Sequence, residues 1–247
     1  MNRPAPRELT LLRKQQVTPN MLRLTLGGSG MSSFPADQAS AYVKLMLPQP
    51  GAERPVVRTY TVRAHREQAH SCEIDIDFVI HADAGPASSW AMAAQPGDTI
   101  LVGGPGPKKM VDNSADWFLI VGDMTALPAI SVNLEQLPED ACGHVVIEVI
   151  DAADIQTLNG PANVAIHWQV NPHPGTDDSC LLGKAQQLPW LSGRPSVWCA
   201  CEFSSMRALR DHFRTHPKLD RDKLYISSYW RLGAKEEEHK VLKQAET

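Results

Sequence analysis

At 247 residues, with 43% hydrophobic and 21% charged residues, the chain has the length and composition of one large or two ordinary soluble domains. No run approaches the roughly 18–20 apolar residues that a membrane-crossing helix needs, and Met1 to Thr10 hold Arg3 and Arg7 but no apolar stretch like that of a secretory leader. The net charge of −4 divides unevenly: residues 1–112 carry 12 Lys and Arg against 10 Asp and Glu, whereas residues 113–247 carry 12 against 18.

So acidic a chain argues against wrapping nucleic acid, which rests on neutralising phosphates. No membrane partner is expected either. The cysteines, Cys72, Cys142, Cys180, Cys199 and Cys201, are odd in number and form no CxxC pair. That argues against a disulfide framework and a zinc site. Unpaired thiols suit a reducing compartment, so the cytoplasm is expected.

In chain order, the first half reads as short strands. Leu22, Leu24 and Leu26 alternate with Arg23 and Thr25; Val43, Leu45 and Leu47 alternate with Lys44 and Met46; Ile74, Ile76, Phe78 and Ile80 alternate with Asp75 and Asp77. A period of two means one buried face and one wet face. Gly27-Gly28, Pro50-Gly51, Pro96-Gly97 and Gly103 to Pro107 punctuate these runs. Antiparallel strands over about 110 residues predict a small barrel or sandwich, with a short helix over Ser88 to Ala94.

After Asn113 the pattern changes. Trp117–Val121, Val145–Ile150, Val164–Val170, Val197–Cys201 and Leu224–Ser228 are near-continuous apolar runs, as in strands of a parallel sheet covered by helices. Thr125 is positioned to cap a helix carrying Ile130, Leu134 and Leu137, and Ser204 or Ser205 one carrying Met206, Leu209 and Phe213. Alternating strands and helices make this half α/β. The predicted domains are residues 1–112 and 113–247.

Three constellations carry chemistry. Arg58-Thr59-Tyr60-Thr61 sets a guanidinium and an aromatic ring on one strand face, suited to a phosphate and a flat cofactor; an ordinary barrel strand would look the same. Asp77 to His81 runs through Ala84-Gly85-Pro86-Ala87-Ser88 into a helix, where small residues and unpaired amides suit a diphosphate. Any loop-to-helix cap shares that pattern. Val121 to Ile130, with Asp123, Thr125 and Ala126, forms the first strand-to-helix turn of the α/β half, beside which ligands bind in such sheets. It is not GxGxxG. Glu202 follows a later strand, and Tyr229-Trp230-Arg231 closes the last.

Arg-x-Tyr-Thr, DFVIHADAGPAS, QPGD, GGPG, GDMTALPAI, CEFSSMRALR and SSYWRLGAKEEEHK follow one another across nearly the whole chain. This series resembles the siderophore-interacting protein family of FAD-dependent ferric-siderophore reductases, most closely its NADPH-using ferric-chelate reductase branch. The resemblance implies a ferredoxin-reductase-like fold: a six-stranded antiparallel Greek-key FAD barrel followed by an α/β nucleotide-binding domain.

It also implies roles. Arg58, Thr59, Tyr60 and Thr61 hold the flavin and its phosphate; His81 and Ala84, Gly85, Pro86, Ala87 and Ser88 lie around the ring and diphosphate. Asp123, Thr125 and Ala126 lie near the adenine end of FAD, Glu202 on the nicotinamide side, and Tyr229 and Trp230 in the segment returning to the flavin. Lys44, Arg231, Lys108 and Lys109 are the candidates for a basic pocket that attracts an anionic ferric chelate.

Electrons would pass from NADPH (or NADH) to FAD and then to Fe(III), chemistry that belongs to the cofactor and needs no catalytic side chain or resident metal. Arg207, Arg210 and Arg214 are either a seat for the NADP 2′-phosphate or a solvated helix face. Two rival readings share the fold: a general flavin or ferredoxin-type reductase, with a separate ferredoxin as electron partner, and a flavin-bearing protein that binds the siderophore without turnover.

Overall fold

A computed structural model describes residues 5–48, 51, 54–68, 71–81 and 85–233. The chain divides into two compact units, Met1–Lys109 and Met110–Thr247.

In the first unit six strands, β1 (Arg7–Thr18), β2 (Met21–Gly27), β3 (Tyr42–Leu47), β4 (Val56–Gln68), β5 (Ser71–Val79) and β6 (Thr99–Gly103), close an antiparallel barrel. Their order is β1-β2-β5-β4-β3-β6. Alternation fills the interior: Leu24, Leu26, Val43, Leu45, Ile74, Ile76 and Phe78 are fully buried. Helix α1 (Pro86–Ala93) packs Ala87 and Ala91 on the same core.

The outer face of β5 carries acids, and arginines on neighbouring strands meet them. Arg23 grips Asp77 at 2.6 and 2.7 Å, and Arg66 grips Asp75 at 2.6 and 2.7 Å while also reaching Glu73. Arg13 completes the ladder on Glu73 at 2.6 Å. The sequence reading did not single out β1 or β6. In β1 only Leu9, Leu11 and Thr18 are buried among wet residues, and β6 has five residues beside a Gly-Pro loop.

The second unit alternates β7 (Trp117–Gly122), α2 (Leu127–Gln136), β8 (Cys142–Val149), β9 (Asn163–Val170), α3 (Ser179–Gln187), β10 (Pro195–Glu202), α4 (Phe203–Arg214) and β11 (Leu224–Trp230). The sheet is parallel, in the order β11-β10-β7-β8-β9. Every residue of the central strands β7 and β10 is buried, which is why their sequences read as unbroken apolar runs.

Strand order reverses between β7 and β10, so the carboxyl ends of these two strands flank the crevice where such sheets take ligands. Gly122 is required there. A Cβ would lie 2.7 Å from the Ala200 carbonyl oxygen and 2.9 Å from Cβ of Ala126.

Both predicted caps differ in detail. α2 begins at Leu127 and Thr125 stays in the preceding turn, because the Asp123 carboxylate accepts both its N–H and its hydroxyl. α4 is capped by Glu202 rather than by a serine: that carboxylate, one strand residue earlier, already accepts the amides of Ser204 and Ser205.

Candidate functional site

In the barrel unit, β4 places the first constellation. Register pairs Arg58 with Leu45 and Tyr60 with Val43, both inward, while Thr59 and Thr61 pair with Lys44 and Tyr42 on the outer face. The four residues therefore divide between two faces, and Lys44 stands opposite Arg58 and Tyr60. Tyr60 packs on the core with its ring 4.4 Å from Phe78, which lies 6.3 Å from Trp90 of α1.

His81 is exposed just beyond β5. Ala84 falls outside the described residues. Gly85 opens α1 without a side-chain cap, and no atom lies within 4 Å of where its Cβ would be. Pro86 fits the first helical position, where no N–H is needed. Ser88 is buried, and its hydroxyl donates to the Val79 carbonyl at 3.0 Å, tying the first turn of α1 to the end of β5.

One end of the barrel thus gathers an aromatic run, a half-buried guanidinium and an uncapped helix start beside open space. That donor set fits a flavin dinucleotide: rings for the isoalloxazine, cation and amides for the diphosphate.

The basic candidates sit in different surroundings. Lys108 pairs with Asp37 at 2.9 Å, and in the second unit Arg231 lies over the Phe203 ring, 4.9 Å from its centroid. Lys44 is half-buried beside Gly103, its register partner on β6. Lys109 is exposed.

In the α/β unit, the Asp123 carboxylate joins three pieces of chain, its own turn and the ends of β10 and β11. One oxygen accepts from Thr125 N–H and hydroxyl at 2.9 and 2.5 Å; the other accepts from Glu202 N–H at 2.9 Å and Trp230 Nε1 at 2.8 Å. Burial pushes its pKa up, and the four hydrogen bonds oppose that shift.

Glu202 works in the same way, spending one oxygen on the start of α4 and the other on the Leu232 amide at 3.1 Å. Gly175, at φ +83, presses against this junction: a Cβ there would meet Glu202, Trp230 and Leu232 side chains at 3.2 Å. Asp123, Glu202 and Trp230 are brought together, held by one another and by the backbone. Ala126 is buried at the head of α2, and Tyr229 meets Trp198 edge-on at 6.4 Å.

The sequence reading passed over a further polar group at the same carboxyl edge. Glu148, near the end of β8, is 4% exposed, and its Oε2 has no hydrogen-bond partner among the described residues. The side chains of Asn171, just past β9, and Cys180 are the hydrogen-bonding neighbours of that carboxylate. Burial raises the Glu148 pKa, against the pull of neighbouring Asn171 and Cys180. Burial and Glu148 together push the Cys180 thiol up to about 12. The signal was available: a carboxylate inside the apolar run Val145–Ile150 is a buried charge that needs a reason.

Two family models cover most of the chain: the siderophore-interacting FAD-binding domain over residues 10–54 and 49–109, and the siderophore-interacting protein over residues 115–233. The chain belongs to the siderophore-interacting protein family. Ferric vibriobactin reductase ViuB of Vibrio cholerae is 35% identical over 96% of this chain and 93% of its own. The NADPH-dependent ferric-chelate reductase of Escherichia coli is 28% identical over 91% and 92%.

Among solved structures, the siderophore-interacting protein SipS of Aeromonas hydrophila superposes with a TM-score of 0.87 at 36% identity, covering 98% of this chain and 97% of its own. The ferredoxin–NADP+ reductase of Plasmodium falciparum, at 13% identity, shares the fold with a TM-score of 0.65, covering 91% and 96%. The architecture is ferredoxin-reductase-like, and its first domain is a FAD-binding domain of this family.

Proposed function

We propose that this protein is a ferric-siderophore reductase of the cytoplasm. The observation that carries the proposal is the barrel end where the Tyr60–Phe78–Trp90 run, Arg58 and the open start of α1 lie together, in a chain whose relatives are named ferric reductases. FAD bound there would supply the chemistry of a two-electron carrier between one reduced nicotinamide, NADPH or NADH, and two Fe(III) ions, with one proton released overall.

The residues supply position and charge. Arg58 and the first amides of α1 would hold the diphosphate, and Tyr60 would cover the ring and keep water from it. Thr59 and Thr61, on the other face of β4, and His81, just beyond β5, flank this cradle. Lys44 attracts the anionic ferric chelate, with Lys109 as a second cation. Asp123, Thr125, Ala126 and Glu202 build the turn at the switch point, and Tyr229, Trp230 and Arg231 close it. Reduction to Fe(II) weakens a hard-oxygen chelate and frees the iron. A ferredoxin as electron donor is the second reading, favoured by the fold alone.

The test is direct. The purified protein should be yellow, and a ferrous chelator should capture Fe(II) from a ferric catecholate or ferric carboxylate chelate when NADPH or NADH is added. Absence of nicotinamide-dependent release from every ferric chelate tried overturns the reading.

A further inference from the structure

The cations of the α/β unit gather at one edge of its sheet. Residues 207–223 hold six Lys and Arg against three Asp, a local charge of +3 in a half of the chain where acids prevail. Phe203, Arg207, Arg210 and Arg214 fall at i, i+4, i+7 and i+11 of α4 and so form one stripe along the helix. That stripe meets the chain of β11 at both ends. The Arg231 guanidinium lies over the Phe203 ring, and Arg214 lines a cavity of about 340 Å³ with Arg221, Leu224 and Ile226. No hydrogen bond or ion pair engages the guanidinium of Arg214 or of Arg221 among the described residues.

β11 is the last strand on that side of the sheet and pairs only with β10 among the described residues. No backbone hydrogen bond from outside the sheet reaches it among them. Natural edges are blunted by charge or proline. Leu224–Trp230 carries neither, so its outer row of amides and carbonyls is open to a further strand. Alternate side chains of such a strand would point to the face that α4 covers. Arg210 and Arg214 stand about 6 Å apart along the helix, close to the roughly 6.6 Å between alternate residues of a strand. Acids at every second position would then meet one guanidinium each, over an apolar floor of Leu224 and Ile226. A second copy of this chain would bring the same arginines and be repelled. A flat anionic surface would reach only the outer tips, since the Arg210 side chain is 13% exposed.

We propose that this edge takes an extended acidic segment of a partner protein, which adds to the sheet beside β11 and sets alternate carboxylates against the arginine stripe. The site lies away from the crevice at the switch point. That crevice opens at the carboxyl end of β10, where α4 begins. The cavity lies by the last turn of α4 and the first residues of β11, about 16 Å along the helix from its start. Cations near a helix C-terminus offset its dipole. That accounts for Arg214, but not for Arg221 or for the cavity they share.

Fluorescence anisotropy tests it on the FAD-loaded protein. A fluorescein-labelled peptide of about eight residues that alternates Glu and Val should bind with micromolar affinity. A peptide of the same composition with its Glu residues grouped should bind at least about tenfold more weakly. So should the alternating peptide to Arg214→Glu or Arg221→Glu, whose reversed charges oppose the acids, with flavin content and circular dichroism unchanged. Methylating the amide nitrogens of one set, Glu or Val, should abolish binding and methylating the other should not, because only one edge of an added strand pairs with β11. Absence of binding by the alternating peptide overturns the proposal, as does equal binding of the grouped peptide or no difference between the two methylated ones. It also falls if binding appears only after residues 234–247 are removed, which would make the chain's own end the occupant. Variants that lose binding to vesicles of phosphatidylcholine and phosphatidylserine, but not to the peptide, would overturn it too. The assay involves no turnover, so its outcome stands apart from the reductase reading.

Discussion

The two units treat their carboxylates in opposite ways. On the barrel, Asp75, Asp77 and Glu73 line the outer face of one strand and are met by arginines. In the α/β unit, Asp123 and Glu202 are almost wholly buried, and they accept from neutral donors: amides, a hydroxyl and an indole. Their pKa directions differ accordingly. Burial opposes ionisation of Asp75, but Arg66 and Thr25 outweigh it and hold the group low. Asp123 and Glu148 have no such partner, and burial holds them high. The barrel's ionised groups stabilise its own surface, whereas the α/β unit concentrates costly groups at the strand ends where a ligand would bind.

Removing the centre of that junction should do the most damage. Asp123→Ala strips the acceptor from four donors and should cost about 3–5 kcal/mol in urea unfolding of the α/β unit. Because the folded pKa of Asp123 is raised, its contribution is fully present below the unfolded value near 4 and declines as pH rises through the folded one. The variant should therefore lose part of the unit's pH dependence above about pH 4. An unfolding midpoint unchanged from wild type would show that the four hydrogen bonds contribute nothing net.

The barrel should respond with the other sign. Asp75 and Glu73 have depressed pKa values, so their contribution is present above the unfolded values and is lost as pH falls through the folded ones. Arg66→Met removes the guanidinium that holds both. It should cost about 1–2 kcal/mol and move the acid unfolding of the barrel to higher pH. Hydrogen exchange of each unit between pH 3 and 7 would separate the two behaviours, and parallel loss in both units on the acid side would refute the contrast.

How much of this the sequence disclosed also divides between the units. Strands with strict alternation, such as β5, and strands buried on both faces, such as β7 and β10, declare themselves because burial is written into their residue order. Helix α3 does not, since only Leu181 and Ala185 of its nine residues are buried. Arg58 and Tyr60 could be placed on one face from the period of two alone. That Asp123 and Glu202 serve as junctions could not be read, because their donors arrive from Trp230 and Leu232, far along the chain. Glu148 stood in plain view as a charge inside an apolar run, but its neighbour Asn171 comes from beyond the next strand.

The smallest expected effect concerns the face that alternation assigns to Lys44. It pairs in register with Thr59 and Gly103, on the side of β3 opposite Val43 and Leu45. It therefore shares no face with Arg58 and Tyr60, and removing it should leave the flavin cradle intact. Lys44→Ala should raise KM for anionic ferric chelates by about two- to fivefold, the scale of one partly screened charge. Flavin content should not change, and added salt should shrink the difference between variant and wild type. Loss of FAD would instead place Lys44 in the cofactor site. A KM change that ignores ionic strength would mean that its aliphatic stem, not its charge, meets the chelate.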